Sequence, residues 1–71
     1  MYKIYVKYKL DGEFELFHEC IEYNVQCEQN SIILSWVTQE DVEKTNSRDK
    51  FNIYIIPNTC VVYIKRQNSV E

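Results

Sequence analysis

The chain has 71 residues, 45% of them apolar and ten aromatic, with a net charge of −3. One small domain is the most this length allows, and the apolar content excludes a disordered chain. No stretch approaches the ~18 apolar residues of a membrane span or has the plan of a signal peptide, and the mild negative charge argues against direct nucleic-acid binding, which depends on phosphate neutralisation by Lys and Arg.

Residues 2–10 alternate, with Tyr2, Ile4, Val6, Tyr8 and Leu10 on one face and Lys3, Tyr5, Lys7 and Lys9 on the other. This period of two predicts a strand, and Asp11-Gly12 behind it signals a hairpin. A two-residue loop would set Tyr8 beside Glu15 and Leu10 beside Glu13. A three-residue loop, Leu10-Asp11-Gly12 with Gly12 left-handed in a bulge, instead pairs Lys9–Glu13, Lys7–Glu15 and Lys3–Glu19 on the solvent face. Its other face pairs Tyr8–Phe14 and Val6–Leu16. Opposite-charge pairs contribute only about 0.2–1 kcal/mol each, but a one-residue slip would turn the whole apolar set outward. The three-residue loop is therefore expected.

Parity changes near Cys20, beyond which Ile21, Tyr23, Val25 and Cys27 form the apolar set, so a turn or bulge is needed at Glu19-Cys20. Gln29-Asn30 makes the next turn, and a two-residue loop there pairs Cys27–Ile32, Val25–Leu34 and Tyr23–Trp36. The Thr38-x-x-Asp41 spacing resembles a capping box and predicts one or two helical turns over 39–44, followed by a loop through Asn46-Ser47-Arg48-Asp49. A last hairpin is expected from 51–56 and 59–66, turned by Pro57-Asn58, with inner pairs Ile55–Cys60, Ile53–Val62 and Phe51–Ile64. Residues 67–71 are expected to fray. The fold class expected is all-β: about six antiparallel strands in a bent, partly open roll with one short helical segment.

With these strands placed, residues 14–66 resemble a bacterial pleckstrin-homology-like domain of the YcxB-like type. Phe14 and Phe17 lie on the opening strand, and Ile21-Glu22-Tyr23 follows the turn. A strand ending in Trp36 has Thr38 close behind, and Val42-Glu43-Lys44-Thr45 comes next. Asp49-x-Phe51-x-Ile53-Tyr54-Ile55 and Val61-Val62-Tyr63-Ile64-Lys65-Arg66 complete the series. The resemblance implies a strongly bent antiparallel sheet with one open end. It brings no catalytic residues, because the family is a scaffold.

Three cysteines without a C-x-x-C spacing argue against a disulfide framework and for a reducing, cytoplasmic setting. His18, Cys20, Cys27 and Glu22 could be imagined as metal ligands, but the register turns Cys27 and Cys60 into the core, where free cysteines act as small hydrophobes. No cysteine has a cation or a helix N-terminus beside it in sequence to activate it, and Gly12 is the only glycine. No enzyme activity, cofactor or metal is expected.

Charge is segregated: residues 10–43 hold nine acidic side chains and no lysine or arginine, while each flank carries a net +3. Aromatic residues fall on the outward parity as well, with Tyr5 facing Phe17 on the first hairpin and Tyr54, Val61 and Tyr63 on the last. A sheet apolar on both faces has something packed on each or presents a contact surface. The function expected is non-catalytic protein–protein interaction, with a protein partner or a second copy of the chain. Tyr5, Phe17, Tyr54 and Tyr63 would be anchors, Glu40, Asp41 and Glu43 a charged rim, and 1–9 and 59–66 candidate docking edges. The alternatives are a small acidic, nucleic-acid-mimicking inhibitor of phage or mobile-element type, and a headgroup binder in which Lys44, Arg48, Lys50, Lys65 and Arg66 converge.

Overall fold

The computed structural model describes residues 1–67, so the expected fraying of the tail lies, beyond Gln67, outside the described residues. Six antiparallel strands and one short helix follow in order: β1 (Tyr2–Lys7), β2 (Glu15–Cys20), β3 (Glu22–Cys27), β4 (Ser31–Val37), α1 (Gln39–Thr45), β5 (Asn52–Pro57) and β6 (Val61–Arg66). The all-β expectation holds. The strands form two three-stranded sheets, ordered β2-β1-β6 and β3-β4-β5.

Each sheet is built on a central strand whose alternation drives one face inward. Ile4 and Val6 of β1 and Ile32, Leu34 and Trp36 of β4 meet Cys20, Ile56 and Cys60 in a single core cluster. Tyr2, Phe17, Tyr23, Val25, Val62 and Ile64 pack around it. The chain changes sheets at two corners. At Ile21, between β2 and β3, the backbone N–H donates to the Val37 carbonyl at 3.0 Å. Between β5 and β6, Cys60 N–H donates to the Pro57 carbonyl (3.1 Å), and the Asn58 side chain donates to the Gln29 carbonyl (2.9 Å). The result is a thin slab of 37 × 29 × 13 Å with a radius of gyration of 13.0 Å, against about 11 Å for a typical domain of this length. A thin core leaves much apolar surface outside.

The β3–β4 hairpin has the register expected, with Tyr23↔Trp36, Val25↔Leu34 and Cys27↔Ile32 in line, closed by Glu28 N–H to the Ser31 carbonyl at 2.8 Å. The helix also starts where expected. Thr38 is the N-cap: its Oγ1 accepts from Asp41 N–H at 3.1 Å, and Asp41 Oδ2 accepts from Thr38 N–H at 3.0 Å. Asn46, left-handed at φ 57°, ends the helix.

Five expectations are corrected, the last being the burial of Cys27. First, the β1–β2 register matches at Lys3↔Glu19 but slips by one between Ile4 and Tyr5, giving Tyr5↔Leu16 and Val6↔Glu15. The extra residue is Phe17, which the slip turns inward instead of facing Tyr5. Second, Gly12 is not left-handed; a turn with Gly12 N–H on the Lys9 carbonyl (2.9 Å) reverses the chain. β1 stops at Lys7, so Tyr8, expected on the inner face, is exposed. Third, β5 and β6 form no hairpin. β5 pairs with β4, Ile32↔Ile56 and Leu34↔Tyr54, while β6 pairs with β1, Ile4↔Ile64 and Val6↔Val62. This inverts the parity of β5: Ile56 is buried at 2% exposure, and Ile53 and Ile55 stand out at 62% and 61%. Fourth, β1 lies between β2 and β6 and is no docking edge. Cys27, though opposite Ile32 as expected, is exposed.

Candidate functional site

The alternation that buries Ile4 and Val6 sends Lys3, Tyr5 and Lys7 to the outer face of the β2-β1-β6 sheet. Lys65, Tyr63 and Val61 of β6 stand opposite them. On the other side β2 sets Glu19 opposite Lys3 and, through the bulge, Leu16 opposite Tyr5. The Tyr5 and Tyr63 ring centroids lie 6.0 Å apart, and Phe14, reaching over from the β1–β2 turn, lies 6.0 Å from Tyr63. Lys7 Nζ sits 5.3 Å from the Phe14 ring centre, within cation–π range. Tyr5, Phe14, Tyr63 and Lys65 enclose a shallow concavity of about 270 Å³. Phe14, Leu16, Val61 and Tyr63 all remain exposed, Tyr63 at 52%.

The electrostatics of this face differ from those of the whole chain. Lys3 and Lys65 are direct cross-strand partners, a like-charge juxtaposition that is unfavourable by itself. Among the described residues only Glu19 answers it, 4.0 Å from Lys3. An aromatic patch framed by Lys3, Lys7 and Lys65 therefore sits on a protein of net charge −3.

The four expected anchors divide into two pairs. Tyr5 and Tyr63 come together on the outer face. Phe17 and Tyr54 also meet, stacked at 5.0 Å, but on the inward side of the sheets, with Phe17 edge-on to the buried Trp36 at 5.0 Å. Phe17 packs against the core, and Tyr54 lies over Phe17 with 43% of its surface exposed. Phe14 and Leu16 complete the outer patch and were assigned to the inner face by the unbulged register.

The expected charged rim lies on α1. Glu40 pairs with Lys44 at 3.2 Å, and Glu43 accepts from the Gln39 side chain at 3.3 Å. Asp41 accepts from Thr38 N–H and from Asn52 Nδ2 at 2.7 Å. The Thr38 backbone bond first, then Asn52 and the Thr38 hydroxyl, hold its carboxyl below the ordinary value. Glu22 is likewise held low, chiefly by the Arg48 hydrogen bond, with Arg48 Nε at 2.7 Å and Lys50 at 3.7 Å. These contacts tie loop 48–50 to the start of β3. They also occupy three of the five cations expected to converge on a headgroup: Lys44, Arg48 and Lys50.

A second concavity, about 370 Å³, opens beside α1 between Met1, His18, Cys20, Trp36, Asp41 and Asn52. His18 Nδ1 lies 2.7 Å from the Glu19 carbonyl, and its ring is 5.2 Å from Trp36. Burial pushes the Cys20 thiol up, which makes it a poor nucleophile. Among the described residues no three His, Cys, Asp or Glu side chains converge as a metal site, and no helix is long and apolar enough to cross a membrane. No protein-family model, no curated protein and no solved structure matches the chain.

Proposed function

We propose that this chain is a non-catalytic interaction module that docks a protein partner on the outer face of the β2-β1-β6 sheet. Tyr5 and Tyr63 are the anchors, with Phe14, Leu16 and Val61 around them. The observation that carries this reading is the aromatic cluster itself. Three rings lie within 6.0 Å of one another in series, Phe14 and Tyr63 exposed and Tyr5 half-buried, on a sheet whose other face already supplies the core. Aromatic residues in a shallow pocket are the usual carriers of interface energy, and the surrounding lysines favour a partner with an acidic margin. A reducing, cytoplasmic setting fits the three free cysteines. The pleckstrin-homology-like kinship of residues 14–66 belongs to the same proposal, since it too implies a bent β scaffold. Of the nine acids in residues 10–43, Glu19, Glu22, Glu40 and Asp41 are each held by a neighbour, which leaves fewer carboxylates for an acidic inhibitor to present.

Affinity capture from a lysate of the source cells tests this. The wild-type chain should retain a protein at moderate salt that Tyr5→Ala and Tyr63→Ala lose and Tyr54→Ala keeps. Retention by Tyr63→Ala would contradict it. So would a loss confined to Glu40→Gln/Glu43→Gln and steep in salt.

A further inference from the structure

Four strands end the two sheets, and three of them carry charges that discourage edge pairing. β2 has Glu15 and Glu19 and a bulge, β3 has Glu22, and β6 has Lys65 and Arg66. β5, Asn-Ile-Tyr-Ile-Ile-Pro, has no charged residue at all. Charges, bulges and prolines are the usual protection of an open edge, and β5 has only Pro57 at its far end.

The ladder shows which backbone groups are free. Asn58 N–H donates to the Asn30 carbonyl at 3.4 Å, one step beyond Ser31↔Pro57, where Pro57 has no N–H to give. Bonded pairs alternate with unbonded ones in an antiparallel ladder. The bonds to β4 therefore fall at Ile56, Tyr54 and Asn52, and the N–H and C=O groups of Ile53 and Ile55 point to the open edge. These same two residues carry the exposed side chains of the outer face, beside Ile33 of β4.

From this we infer that β5 pairs antiparallel with β5 of a second copy, about a two-fold axis at Tyr54, to make a continuous six-stranded sheet. The occupant follows from self-complementarity. On that axis Ile53 lies opposite Ile55 of the second copy and Ile55 opposite its Ile53. Each pair exchanges both free hydrogen bonds, and the four isoleucines join into one apolar strip. No like charges are brought together within the paired strands, which a segment bearing Lys or Glu would not allow. The contact is small: the six residues of β5 per copy, against about 20–30 in a standard interface, make this a weak dimer, with a dissociation constant on the order of 100 µM. It uses a different surface from the aromatic face and does not rest on it.

The test is oligomeric state and amide exchange of the full chain from about 10 µM to about 1 mM. Mass in solution should rise toward the dimer, and the Ile53 and Ile55 amides should become protected as it does. Ile53→Lys/Ile55→Lys, both exposed and so compatible with folding, should weaken dimerisation at least tenfold with an unchanged circular dichroism spectrum. Gln26→Lys on the β3 edge and Tyr63→Ala should leave it intact. A monomer throughout the range, a dimer indifferent to the paired lysines, or freely exchanging Ile53 and Ile55 amides in the dimer would each overturn the inference.

Discussion

Truncating Ile56 and its neighbour Ile55 separates the observed fold from the hairpin that the sequence suggests. Ile56 is 2% exposed, opposite Ile32, whereas Ile55 is 61% exposed, opposite Ile33. Ile56→Ala removes three carbons from the core, about 2.4 kcal/mol of transfer free energy at ~0.8 kcal/mol per methylene. The cavity left in a slab only 13 Å thick adds to this, and about 3 kcal/mol is the expected total, within the usual range of about 2–5. A domain of this length has roughly 4–10 kcal/mol of stability in all. At about 4–8 °C per kcal/mol for small domains, the melting temperature should fall by roughly 12–24 °C. Ile55→Ala, on an exposed face, should cost under about 1 kcal/mol. Urea and thermal unfolding of both variants measure the difference. If Ile55→Ala costs as much as Ile56→Ala, β5 does not pair with β4 as described.

Other consequences are as direct. Gly12 has no positive φ, and a Cβ there would come within 3.3 Å of the Lys9 carbonyl. Gly12→Ala therefore meets one tight backbone contact and no left-handed strain, and should cost about 1 kcal/mol; a gain in stability or a loss of several kcal/mol in urea unfolding would contradict this turn. Arg48 holds Glu22 below its ordinary value of 4.5, and the Thr38 amide holds Asp41 below 3.8. Carboxylates so depressed contribute stability that is complete above those values and lost as pH falls through the lower folded-state ones. The urea midpoint should therefore drop on acidification below about 4.5, less so in Arg48→Ala and Asp41→Asn, and an unchanged acid limb in both would contradict the contacts. Finally, Cys27 is exposed while Cys20 and Cys60 are buried, so a thiol reagent should label Cys27 promptly and the others only through unfolding. Equal labelling of Cys60 would place the β5–β6 corner elsewhere.

What could be read from the sequence was whatever one strand and its adjacent turn decide together. The β3–β4 hairpin is legible because Tyr23, Val25 and Cys27 and then Ile32, Leu34 and Trp36 have one apolar parity each, and Gln29-Asn30 allows one loop length. Thr38 and Asp41 mark a helix start by chemistry local to four residues. Residues 51–56 are different. Phe51, Ile53 and Ile55 are apolar on one parity, Tyr54 and Ile56 on the other, so alternation cannot decide which side is buried. That choice is made by β4, whose polar Ser31 and Ser35 lie on the face of Ile53 and Ile55 and whose Leu34 lies on the face of Tyr54. Pro57-Asn58 reads as a hairpin turn because it does reverse the chain; that the reversal carries it into the other sheet is a tertiary fact. The same limit hid half of the aromatic face. Tyr5 and Tyr63 follow from parity, but Phe14 and Leu16 reach it through a bulge at Phe17 that nothing in Phe14-Glu15-Leu16-Phe17 announces.

The interaction proposal is tested most directly by titrating the captured partner against Tyr63→Ala and Tyr54→Ala in a calorimeter. Tyr63 stands on the outer face against Tyr5 and Phe14, and Tyr54, also exposed, stacks on Phe17 on the other side of the sheets. Loss of the Tyr63 ring should weaken binding roughly 30-fold, about 2 kcal/mol for an anchor residue, while Tyr54→Ala leaves the affinity within about twofold. Equal affinity of Tyr63→Ala and wild type, or a loss seen only with Tyr54→Ala, would contradict the assignment of the β2-β1-β6 face.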